Sequence, residues 1–166
     1  NFIGEYNFNL DTRVVYGLDN EFDRAKFQKD WPTDYLKSDE SIHSQYFDFQ
    51  FRPLEKLYST IGLRRDDHTT AGNYTTGRAT LAYKLDSSSK IRTSYGTGIR
   101  YPALYDYFYG TVVKTKEDLK AEKSKSFDIG YEKNIEKINT SFDISLYHIT
   151  YEDALEGWEL HGWKVQ

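Results

Sequence analysis

The sequence predicts an all-β chain of about eight consecutive antiparallel, up-and-down strands, on three observations. Apolar residues recur with period two rather than 3.6 almost everywhere. Short and long connections alternate strictly along the chain. Aromatics reach 17%, with 15 Tyr, 10 Phe and 3 Trp, although hydrophobic residues make up only 38%. A soluble core of this size normally rests on Leu, Ile and Val. Here much of the apolar surface sits on amphipathic rings, which favour a membrane–water boundary.

The period defines the elements in turn. The first pair is the least regular, with Phe8 and Leu10 in one strand and Val14, Tyr16 and Leu18 in the next. From Tyr46 to Phe51, Phe47, Phe49 and Phe51 oppose Tyr46, Asp48 and Gln50. From Leu57 to Arg64, Leu57, Ile61 and Leu63 oppose Tyr58, Thr60 and Arg64, and Ser59 interrupts the apolar side. From Thr76 to Leu85, Ala79, Leu81, Tyr83 and Leu85 oppose Arg78, Thr80, Ala82 and Lys84. Farther on, Phe127, Ile129 and Tyr131 oppose Asp128 and Gly130, and Phe142, Ile144 and Leu146 oppose Asp143, Ser145 and Tyr147. This spacing is that of an all-β chain.

The expected short connections are Asp11–Thr12, Arg52 to Glu55 around Pro53, Asp86 to Ser89, and Asn134 to Lys137. The expected long ones are residues 22–41, 66–75 and 99–122. A soluble sandwich has no reason to place every long loop at one end; a transmembrane barrel does, with short periplasmic turns and long extracellular loops. The faces alone do not choose, because the apolar side fits either lipid or a second sheet. A soluble β-rich module holding a carbohydrate or similar ligand on aromatic loops is therefore the alternative.

Composition narrows function further. Net charge is −4 and there is no basic patch of the kind nucleic-acid binding requires. Cysteine is absent, which excludes a disulfide framework and thiolate metal sites. No apolar run reaches the ~18 residues of a transmembrane helix, which says nothing against a barrel. The absence of Met and of a leader at Asn1 predicts a processed chain or a piece of a longer one.

Three stretches invite a chemical reading. Gly96-Thr97-Gly98 resembles half of a dinucleotide fingerprint, but position 101 is Tyr and a Pro follows. The glycines are expected to let the strand bend or another backbone approach. Arg64 to His68, "RRDDH", offers two carboxylates and an imidazole for a metal or an acid–base group. Successive residues of an extended chain point to opposite sides, so a charged strand end is the expectation there. An outer-membrane enzyme would need Asp66, Asp67 and His68 clustered. No catalytic group, metal or cofactor is expected. Trp31, Trp158 and Trp163, and tyrosines 101, 105, 107 and 109, fall in or near loops, where they brace the loop or stack on a ligand. A short helix over Tyr101–Tyr109 is allowed, with Pro102 in its first turn.

One long stretch carries a resemblance. It supplies Gly62, Arg64 and Asp66, then Ala82 and Tyr83, then Ser94, Tyr95, Gly96, Gly98, Arg100, Pro102 and Leu104. Leu119, Glu122, Ser124, Ser126, Gly130 and Glu132 follow. This order resembles the barrel of TonB-dependent outer-membrane receptors over about residues 44–150. Ala121 stands where the family usually has Pro, and Ile99 and Tyr101 replace a Phe and an Ala. The Arg-Asp-Asp-His and Ser-Tyr-Gly-Thr-Gly steps look most similar to vitamin B12 (cobalamin) receptors, though siderophore and haem receptors share much of the pattern.

The resemblance implies a segment, residues 1–166, of a 22-strand type barrel, lacking the plug and the remaining strands. It implies the outer membrane of a Gram-negative bacterium and contact with its lipid. It also implies uptake of a scarce corrinoid or iron chelate with energy from TonB, delivered through the missing plug. Ligand contacts are then expected at Tyr105, Tyr107, Tyr109 and Trp31. A lumen or plug face is expected at Arg78, Lys84, Arg92 and Asp128.

Overall fold

The computed structural model of the chain describes residues 1–30, 34–102 and 120–153, and side chains outside 27–38. Eight strands pair in chain order into one antiparallel sheet. They are β1 (Phe2–Asn9), β2 (Thr12–Asp30), β3 (Asp34–Leu54), β4 (Leu57–His68), β5 (Gly72–Lys84), β6 (Ser89–Arg100), β7 (Glu122–Ile135) and β8 (Thr140–Glu152). A 3₁₀ turn, Glu136–Ile138, joins the last two.

The register sorts residues into two unlike faces. One row runs Val14, Phe49, Ile61, Ala79, Tyr95, Phe127, each opposite the next. The neighbouring row runs Arg13, Gln50, Thr60, Thr80, Ser94, Asp128. The period-two reading of the sequence is therefore the side-chain pattern of the sheet. Among the described residues no second layer covers the apolar face. Leu63 is 55% exposed and Leu146 71%, and among the described residues Ala121 is the one buried hydrophobic.

Several expected boundaries move. The expected long connection 22–41 is mostly strand: pairing continues from Thr12↔Phe51 to Gln28↔Tyr35. Charged residues such as Asp23, Arg24, Asp39 and Glu40 occupy both faces there, so the hydrophobic alternation stops while the backbone ladder continues. The expected loop 66–75 shrinks in the same way to residues 69–71, between His68 and Gly72. The expected Arg52–Glu55 connection shrinks to residues 55–56, because β3 continues through Pro53 to Leu54. The register shifts between Phe51 and Leu54, where Pro53 has no N–H to donate. Leu10, expected in the first strand, sits in the β1–β2 turn. The long connection after β6 does start beyond Arg100 and end before Glu122.

The short turns are tied to one another. Asp86 accepts from Ser88 N–H at 2.7 Å and lies 3.3 Å from Lys133 Nζ. Asn134 N–H donates to Ser88 O at 2.7 Å, so the β5–β6 and β7–β8 ends are linked. Hydrogen bonds from Ser89 and Ser88 hold the Asp86 carboxyl well below the usual carboxylate range. Arg52 Nη2 reaches Asp11 at 2.8 Å and joins the β1–β2 and β3–β4 ends.

Candidate functional site

The polar face carries a ladder of ion pairs built by register. Arg78 on β5 faces Gly62 on β4, and Gly62 faces Asp48 on β3. With no side chain between them, Arg78 Nη2 meets Asp48 Oδ1 at 3.0 Å. A diagonal variant occurs at Arg92, which faces Gly130 on β7 and reaches Asp143 on β8, two residues from the Ser145 that faces Gly130, at 2.9 Å. Lys90 and Glu132 pair at 3.0 Å, and Ser94 Oγ donates to Asp128. Lys84 Nζ sits 4.9 Å from the centre of the Tyr58 ring, a cation–π distance. Arg78, Lys84, Arg92 and Asp128 thus share one face, and each has a partner there.

A second cluster forms where β2, β3, β4 and the end of β6 meet. Asp66 and His68 lie on the polar face, both 4% exposed, whereas Asp67 lies on the other side. The five-residue "RRDDH" stretch therefore does not assemble into one acid–base group. Arg64 Nε donates to Asp66 at 2.8 Å, and Arg64 Nη2 donates to Ser44 Oγ at 2.8 Å. Tyr101 OH donates to the other Asp66 oxygen at 3.3 Å. Burial, then the Asp66 carboxylate, pushes the Tyr101 phenol up from its ordinary range. Tyr101 also stacks on His68 with centroids 4.5 Å apart, and Tyr74 meets Tyr101 edge-on at 5.7 Å.

His68 has a local structural duty. Its Nδ1 accepts N–H donors from Thr70 and Ala71, each at 3.1 Å, and so closes the β4–β5 turn. Gly72 follows at φ 88, a left-handed backbone that Gly adopts without strain. An accepting Nδ1 leaves the ring proton on Nε2, which faces Glu40 Oε2 at 3.8 Å.

The motif residues spread over both faces. Tyr95 lies on the apolar side, and Gly96 and Gly98 lie on the polar side. The nearest atom to a side chain at Gly98 would be Ser124 Oγ at 2.6 Å; at Gly96 nothing approaches closer than 3.7 Å. The crowding at Gly98 comes from a side-chain hydroxyl, and the backbone nearest to Gly96, Gly77 O, stays at 3.7 Å, so the expected close backbone approach is found at neither glycine. Arg100 and Glu122 pair at 3.7 Å where β6 and β7 end, and Pro102 is buried. Tyr101 and Pro102 are in neither helix nor strand. Trp31, Tyr105, Tyr107, Tyr109, Leu119, Trp158, Trp163 and the rest of the expected helix lie outside the described residues. Sequence reasoning missed Glu40, Ser44 and Tyr74. Glu40 and Tyr74 fall in stretches read as loop, 22–41 and 66–75, and Ser44 lies just before the strand read from Tyr46, so only their even spacing on the polar side gives a signal. Among the described residues no group of three or more His, Cys, Asp or Glu is placed to hold a metal.

Comparison with known proteins agrees with this architecture. The family described as TonB dependent receptor-like, beta-barrel matches residues 1–156. A vitamin B12 transporter, BtuB of Vibrio vulnificus (strain CMCP6), is 32% identical over 78 residues, which is 47% of this chain and 12% of that protein. The siderophore receptor PirA of Acinetobacter baumannii superposes with a TM-score of 0.78 at 17% identity, covering 92% of this chain and 26% of that one. PirA of Pseudomonas aeruginosa gives 0.75 at 19% identity, covering 87% and 29%. The chain thus spans well under a third of the length of each of these relatives. With the matched residues running nearly end to end, the chain belongs to the TonB-dependent receptor-like β-barrel family.

Proposed function

We propose that this chain forms part of the barrel wall of an outer-membrane transporter that takes up a scarce ligand, of cobalamin, siderophore or haem type, with energy from TonB. The observation that carries the reading is the unpartnered apolar face. Rows of Phe, Ile, Leu and Tyr stand exposed on one side of a single sheet, and ion pairs fill the other. Water would leave that apolar side as a large exposed patch, whereas lipid covers it. A barrel strand needs only about 9–11 residues to cross a bilayer. β2 and β3, at 19 and 21 residues, are long enough to rise beyond it on the side where β6 ends at Arg100.

In this reading Arg78, Lys84, Arg92 and Asp128 face the lumen or a plug, and TonB acts through that plug. Trp31, Tyr105, Tyr107 and Tyr109 are the ligand-contacting candidates at the mouth. The relatives' functions, transport of vitamin B12 and reception of siderophores, support transport rather than catalysis. The host is then a Gram-negative bacterium, and the segment belongs to a larger barrel enclosing a plug.

The test is the complete gene expressed in a receptor-null Gram-negative strain. The protein should fractionate with outer membranes and require detergent. Growth should depend on one of a corrinoid, an iron chelate or haem, and should be lost when TonB is deleted. Recovery as a soluble monomer without detergent would favour the soluble ligand-binding module instead.

A further inference from the structure

We propose that the cleft beside Tyr101, at the end of the polar face where β6 stops, is a subsite for a positively charged nitrogen group of a small organic ligand. An ammonium, amidinium or guanidinium is the chemistry meant, with Glu40 Oε1 as its acceptor. The cleft encloses about 490 Å³ and brings Glu21, Asp23 and Glu40 together with His68 and Tyr101. The register explains the meeting, since Asp23 faces Glu40, Glu21 faces Ile42, and Ile42 faces His68. Arg24 is the one Lys or Arg on the described wall, and Asp39 already holds it at 3.1 Å.

Glu40 supplies the independent observation. Its side chain is 5% exposed, yet Oε1 has no hydrogen-bond partner among the described residues. Its Oε2 lies 3.8 Å from His68 Nε2, beyond a good hydrogen bond. His68 is not free to swing toward it, because Thr70 and Ala71 hold Nδ1. A buried carboxylate oxygen without a donor is costly, so the site is built for a donor that arrives from outside the described residues. Three carboxylates repel an anion. No described group of His, Asp and Glu has the spacing of a metal site. A nitrogen cation satisfies both the charge and the missing donor, and the Tyr101 ring, fixed through Asp66, adds an aromatic wall suited to it.

This inference deepens the transport reading and rests on it. The test uses the complete receptor in detergent, with agmatine, which carries a guanidinium and an ammonium, as the probe and butylurea as an uncharged control, measured by titration calorimetry. Agmatine should bind and butylurea should not. Glu40→Gln should weaken agmatine about tenfold, the loss of one charged hydrogen bond. Where Glu40→Gln fails to fold, the paired change Glu21→Gln and Asp23→Asn, at two exposed positions, reads the same electrostatics and should weaken agmatine about threefold. Absence of agmatine binding overturns the assignment, and so does equal binding of butylurea or indifference to both sets of variants. A cationic side chain of the protein itself seated in the cleft appears as no agmatine binding and overturns it too. Outer-membrane fractionation and growth are scored separately, so a receptor that transports yet ignores agmatine removes the subsite alone.

Discussion

Arg78 and Asp48 meet at 3.0 Å although a whole strand runs between them. The contact exists because the intervening residue is Gly62, whose missing side chain leaves the polar face open beneath the guanidinium. The Arg92–Asp143 pair crosses β7 diagonally over Gly130, whose missing side chain leaves room for the guanidinium.

Gly62→Val should therefore break the Arg78–Asp48 pair rather than strengthen the strand. The gain in β-propensity spans at most about 1 kcal/mol, and the valine displaces two charged groups from each other. The complete protein should lose about 1 kcal/mol in urea, and a prior Arg78→Ala change should remove most of that loss.

The apolar face sets a second expectation. Leu81 lies between Ser59 and Thr93 on β5, 46% exposed among other apolar side chains. Leu81→Arg should destabilise the folded barrel by about 2–4 kcal/mol if the residue lies near the bilayer midplane. Thr80→Arg, one residue away on the polar face, should cost much less. Reversible folding into liposomes distinguishes the two.

The β7–β8 turn offers a backbone test. Asn139 ends the 3₁₀ turn in a left-handed conformation at φ 48, ψ 47. Asn139→Gly should be neutral or slightly stabilising, whereas Asn139→Val should cost about 1–2 kcal/mol. Equal stabilities of the two variants would contradict the assigned turn.

Asp86 sets a pH dependence. Its folded-state pKa is depressed, so its contribution is present above the unfolded value and is lost as pH falls through the folded one. The wild-type protein should exceed Asp86→Asn in urea midpoint at neutral pH. That gap should narrow below about pH 4, the ordinary carboxylate range.

The strands were legible because hydrophobic alternation and backbone extension coincide wherever one side is apolar. Phe47, Phe49 and Phe51, and likewise Phe142, Ile144 and Leu146, announce both at once. The coincidence fails over residues 22–41, where charged residues enter both faces while pairing continues, so the far end of β2 and the start of β3 read as loop. The polar-face candidates could be placed by parity alone. Their partners could not, because Arg78 with Asp48 and Arg92 with Asp143 are 30 and 51 residues apart and meet only through register. Glu40 was illegible for the same reason: its isolation depends on Asp23 opposite and His68 one strand over.

The central claim is that one face of the sheet meets lipid and the other does not. This stretch contains no Cys, so single cysteines can be placed at positions 79 to 84 of the complete protein and spin-labelled in liposomes. Labels at 79, 81 and 83 should be reached by oxygen dissolved in lipid, and labels at 80, 82 and 84 by a water-soluble nickel chelate, in strict alternation. Equal access of the nickel chelate to all six positions would contradict the account.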